Sequence, residues 1–148
     1  MLFAFSVSAQ EISFEDYNPK STLVVPETII KKAKFPFIDV HGHQYRMPNQ
    51  NLTPVIEAMD SLNMSIMVNL SGRSGKDLQK SVQNIKDHYP NRFVVFANID
   101  FNDKVGKSGW IEKVVKQLEE DVKNGARGLK VYKSLGLRDK DIDTYAKY

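Results

Sequence analysis

Phe35-Pro36-Phe37-Ile38-Asp39-Val40-His41-Gly42-His43 reads as a short apolar strand that runs out into two histidines. Side chains alternate faces along a strand, so Asp39, His41 and His43 share one face, and Gly42 adds no bulk on the other. Two imidazoles one pleat apart can approach a single cation together, and histidine is a preferred ligand of zinc and similar divalent metals. Asp39 lies one pleat deeper, where a carboxylate could orient an imidazole through its second nitrogen. A bare His-x-His pair is also a common polar loop end. Here, however, the chain has 3 histidines in all. Two of them sit at the end of a buried-looking strand, where α/β folds gather their chemistry.

From this strand onward the chain repeats itself in kind. Strand-like runs fall at 35–40, 65–70, 93–99 and 128–132, with helical patterns between them. The first helix is expected over 54–63, with Thr53 as N-cap and Pro54 at the first helical position. The second is expected over 75–89, with Ser74 as N-cap, Asp77 three residues on and Pro90 as the stop; Leu78, Val82, Ile85 and Tyr89 form its apolar face. The third is expected over 109–124, with Ser108 as N-cap and Gly125 as the terminating glycine. Its stripe is Ile111, Val114, Val115, Leu118 and Val122. Residues 138–148 begin a fourth helical pattern.

Strand and helix alternating at about 30 residues is the βαβ signature, and near-continuous apolar strands belong to a parallel sheet covered on both faces. Connections should be right-handed. Two α/β architectures fit: a complete four-stranded open sheet, or the first half of an eight-stranded (β/α)8 TIM barrel, which needs about 250 residues. The chain stops inside an apparent helix, which favours the half-barrel. Such a half leaves two open edges, which promote self-pairing into a homo-oligomer.

The bulk numbers narrow the function. The 148 residues suit one domain, with 41% hydrophobic and 26% charged residues, as in a globular protein. A net charge of +3, with lysines scattered among 18 acidic residues, argues against nucleic acid as a partner. With no cysteine, a metal must be held by His, Asp, Glu or a modified Lys. No apolar run approaches the roughly 20 residues of a membrane span.

Ahead of the strand, residues 1–9 of the MLFAFSVSAQ opening resemble the end of an export signal, although a positively charged front is missing; a first strand or a tail is the other reading. On the first reading the mature chain begins near Gln10 and is periplasmic or extracellular; otherwise it is cytoplasmic. Residues 10–34 form an extended lead-in with a turn of helix around 27–32, and 35–148 form the α/β unit.

The strand ends collect His41 and His43; Asn69, Ser71, Gly72 and Arg73; Asn98 and Asp100; and Lys130 with Lys133. Ser71-Gly72-Arg73-Ser74-Gly75, ahead of a helix, could hold an anion on its amides or be a plain turn. It is not a P-loop, because no Gly-Lys-[Ser/Thr] follows at the required spacing. Lys130 could enter the site as a cation, pair with Asp100, carry a metal-bridging carbamate, or bury its stem and send its head to solvent. His88 belongs to the surface.

Two stretches carry a family resemblance: Phe37-Ile38-Asp39-Val40-His41-Gly42-His43, and the run from Gly125 to Leu137, GARGLKVYKSLGL. They resemble the opening strand and the fourth strand of the amidohydrolase superfamily, in the branch of aminocarboxymuconate-semialdehyde decarboxylase and several lactonases. The resemblance implies a TIM barrel of which this chain is the N-terminal half, with His41 and His43 as metal ligands. It also implies a divalent metal, zinc above all, and one ion rather than two. In members with two ions a carboxylated lysine ends the fourth strand, which would make Lys130 that residue. The remaining ligands and a catalytic aspartate would lie past residue 148, so this chain alone is expected to be nearly inactive. The implied activity is hydrolysis of an amide, ester or lactone bond in a small-molecule substrate by metal-activated water. The alternative in the same branch is non-oxidative decarboxylation. From another class, a flavodoxin-like domain without catalysis would hold a phosphate at Ser71–Gly75.

Overall fold

Five short strands and three helices alternate along the chain in a computed structural model that describes residues 13–101 and 107–133. The fold is α/β with parallel strands. Strand β1 (Phe37–Gly42) starts two residues later than expected, at the point where Pro36, which has no amide to offer a ladder, is passed. It pairs in parallel with β2 (Met64–Asn69), which pairs in parallel with β3 (Phe93–Val95). A second sheet joins β4 (Ala97–Asn98) to β5 (Leu129–Lys130), also in parallel.

The third apolar run, expected as one strand, is thus broken at Phe96. The Phe96 amide still donates to the Asn69 carbonyl at 3.0 Å, while on the other edge Arg127 donates to Val95 and Ala97 to Gly128. Residues 93–98 therefore bond to β2 along one side and to the β5 segment along the other. The Phe96 ring fills the place of a side chain at Gly128, where a Cβ would fall 2.5 Å from it.

Helix α1 (Thr53–Leu62) starts one residue earlier than expected, with Leu52 in the capping position. Thr53 does not cap: its hydroxyl bonds Tyr89 Oη at 2.6 Å, and Asn51 Oδ1 accepts the Thr53 amide. Asn63 ends the helix at a φ of 66°, a conformation asparagine tolerates. Helix α2 (Gly75–His88) has Ser74 at its N-cap, as expected, but no side-chain bond from it. Asp77 pairs instead with Arg73 at 2.9 Å. Helix α3 (Trp110–Lys123) takes Gly109, rather than Ser108, as its cap, and Gly125 follows its end in the left-handed region. Residues 27–31 have no regular secondary structure and Lys32 lies at a bend, in place of the expected helical turn. The signal-like residues 1–9 and the helix expected over 138–148 lie outside the described residues. No helix among the described residues is long and apolar enough to cross a membrane.

The core lies between the sheet and helices α1 and α2. Met47, Leu52, Met59, Leu78 and Val95 are at most 1% exposed, and Val82, Ile85 and Phe93 join them. Each such burial contributes about 1.5–3 kcal/mol. The face of α2 read from the sequence is the face that is buried, with Tyr89 packed against the cluster.

Candidate functional site

A Cβ on Gly42 would meet the Met67 side chain at 2.7 Å, and Met67 packs on the core, so Gly42 faces the helix layer. By strand alternation His41 and His43 project from the opposite face. Their rings meet edge to face with centroids 5.2 Å apart. His41 is exposed and His43 half-buried. Tyr45, the next residue in the alternation, stacks on His43 at 5.5 Å with the planes 6° apart.

Asp39 turns to the backbone: its Oδ1 accepts the His41 amide at 2.9 Å rather than an imidazole N–H. This steadies the main chain on which His41 is mounted. Lys130 is half-buried at the tip of β5, where its carbonyl accepts a bond from Asn98 Nδ2 at 3.2 Å. Asp100 is exposed and lines a cleft of about 330 Å³ with Tyr45, Ser71, Arg73, Asn98 and Tyr132. His88 is exposed, its Nδ1 2.9 Å from the Asn84 carbonyl. Among the described residues no three His, Asp, Glu or Cys side chains come close enough to hold a metal; the two histidines stand as a pair.

A polar network ties the carboxyl ends of the strands together. Ser71 Oγ lies 2.6 Å from His43 Nδ1 and 3.0 Å from Tyr132 Oη. Tyr132 Oη also lies 3.0 Å from the Leu70 carbonyl. Asn98 Nδ2 donates to the carbonyls of Leu70 and Lys130, while its Oδ1 accepts the Arg73 amide at 2.8 Å. Asn69, fully buried, accepts the amides of Gln44 and Ser71 on one oxygen, which fixes the loop after the histidines against the loop after β2.

The loop at Ser71–Gly75 has spent much of its capacity for anions. The amides of Ser71, Arg73 and Gly75 donate to Asn69, Asn98 and Asp121, and Arg73 is paired with Asp77. Asp121 accepts the Gly75 amide at 2.7 Å and Gln117 Nε2 at 3.1 Å, and is 1% exposed. Burial pushes its carboxyl above the ordinary value, against the lowering effect of these two bonds; nearby Glu120 adds to the rise. A phosphate on the Gly75 amide would have to displace this carboxylate.

Tyr45, Tyr132 and Asp121 were not singled out from the sequence, although each leaves a trace there. Tyr45 continues the alternation of 39, 41 and 43. Tyr132 continues that of 128 and 130. Asp121 falls at helical spacing on the same side of α3 as Val114 and Leu118. Compared with known proteins, the chain matches no family model, no curated relative and no solved structure.

Proposed function

We propose that this chain is the N-terminal half of a metal-dependent hydrolase barrel of the amidohydrolase type, with His41 and His43 as its first two metal ligands. The observation that carries the reading is the meeting of these two rings, 5.2 Å between centroids, at the carboxyl end of a parallel strand. Two neutral imidazoles suit a zinc-class cation but supply only part of a catalytic site, which normally takes three protein ligands. Bound there, such a cation would supply activated water, with a pKa of about 7, and polarisation of a carbonyl. The chain's own residues would hold and orient it: His41 and His43 as ligands, Asp39 bracing the main chain, and Ser71 bracing the His43 ring.

The half-barrel is supported by where apolar side chains stay bare. Ile38 and Val40 on β1, and Ile111, Val115 and Val122 on α3, are all more than half exposed, at the two flanks of the sheet. Strands and helices of a continuing barrel would cover both flanks. Export of the protein, with residues 1–9 as the end of a signal, belongs to the same proposal. The internal bonds of the Ser71–Gly75 amides weigh against a phosphate-binding domain.

Zinc titration by calorimetry tests the reading. The purified chain should bind one zinc ion, and the His41→Ala, His43→Ala double variant should lose more than about 100-fold in affinity, beyond the loss from removing a supporting residue. A double variant that keeps all its zinc removes the site.

A further inference from the structure

We infer that Ser71 and Tyr132 form a one-way hydrogen-bond relay that fixes the tautomer of His43 and leaves its Nε2 lone pair open to a divalent cation. The inference deepens the metal-centre reading and rests on it for its purpose. The geometry decides the direction of each bond. Tyr132 Oη has one proton and three neighbours: the Leu70 carbonyl at 3.0 Å, Ser71 Oγ at 3.0 Å and Asn98 Oδ1 at 3.4 Å. The Leu70 oxygen can only accept. The orientation of the Asn98 amide is set independently, since its nitrogen gives to the carbonyls of Leu70, Ala97 and Lys130 and its oxygen receives the Arg73 amide. Asn98 Oδ1 is therefore also an acceptor.

A phenol that gave its proton to Ser71 would set its own lone pairs against the Leu70 oxygen at 3.0 Å with no hydrogen between. That leaves a close polar contact unsatisfied in a part-buried site. The favoured arrangement sends the Tyr132 proton to Leu70 and has the Ser71 hydroxyl donate to Tyr132. Ser71 has then spent its only proton. Its oxygen, 2.6 Å from His43 Nδ1, can only accept there. His43 must carry its proton on Nδ1, and Nε2 is the bare nitrogen. Fixing a ligand's tautomer from its other nitrogen is the usual task of an outer-shell partner. Ser71 and Tyr132 are thus positioning residues. They sit 28 and 89 residues from His43 in the chain and are brought to it by the ends of two other strands.

The test is two-bond proton–nitrogen correlation NMR on the full chain with 15N-histidine, in mildly alkaline solution without metal, where a histidine ring is neutral. His43 should show a protonated Nδ1. Ser71→Ala should move it towards the Nε2-protonated form and weaken zinc binding by about 10–100-fold. Tyr132→Phe, which keeps Ser71 but frees its proton, should give a mixture of tautomers and a smaller loss. An Nε2-protonated His43 in the unmodified chain overturns the relay without need of any variant, as does a folded Ser71→Ala chain that keeps the Nδ1 proton. An unmodified chain that shows the Nδ1 proton yet binds no zinc sinks the metal-centre reading and leaves the relay standing.

Discussion

The middle of the sheet and its flanks are built from the same residue types and treated in opposite ways. On α2, Leu78, Val82 and Ile85 vanish into a packed layer. On α3, five apolar residues follow an equally regular spacing, yet only Val114 and Leu118 among them are half-buried, while Ile111 is 65% exposed. On β1, Val40 is 70% exposed, although it belongs to an apolar strand run as regular as the others. Periodicity therefore reports which face of an element wants cover, and only the neighbouring elements decide whether it has cover. Parallel strands are expected to be covered on both faces, so the flanks are where this sheet invites something more.

The contrast can be broken most sharply at its centre. Leu78→Ala should cost about 2–5 kcal/mol by urea denaturation, since it opens a cavity beneath α2. A loss below about 1 kcal/mol would mean that the centre is packed no better than the flanks.

Asp121 tests the seam where α2 meets α3. Asp121→Ala leaves the Gly75 amide without its acceptor and should cost about 1–3 kcal/mol. Asp121→Asn keeps an acceptor and removes a buried charge, so it should change stability at neutral pH by less than about 1 kcal/mol. The two also differ from the native chain in pH dependence. Burial raises the folded-state pKa of Asp121 above its ordinary 3.8, so over that interval the folded chain holds a proton that the unfolded chain has lost. Its contribution to stability therefore falls as pH climbs from the ordinary value to the folded one, and is level above it. Denaturation curves across that interval should show this fall in the native chain and not in Asp121→Asn.

The smallest effect belongs to the flanks. Ile38→Lys and Val40→Lys should each move stability by less than about 0.5 kcal/mol, because both side chains are more than half exposed. A cost near that of Leu78→Ala would show that the flank is covered in solution.

Much of the architecture was legible from residue order. The apolar runs and the caps at Ser74 and Gly125 locate three helices and the parallel strands, because spacing and turn chemistry act over a few residues. The two histidines were legible for the same reason: alternation along one strand placed them together. What escaped depends on distance in the chain. Phe96, where its strand breaks, sets its ring over Gly128, 32 residues on. Thr53 gives up capping because Tyr89, 36 residues away, takes its hydroxyl. The partner of His43 is Ser71 rather than the nearby Asp39, because the ends of β1 and β2 lie side by side while Asp39 folds back onto its own main chain. No local pattern carries these choices.

The carboxamide of Asn98 has a mechanical consequence. One side chain grips the tips of β2 and β5 and the loop that leads into α2. These segments meet on one side chain, so a ligand that presses on any one of them loads the other two. The rim beside the histidines should yield as a single lip, stiffened in part by a residue that sits on another strand.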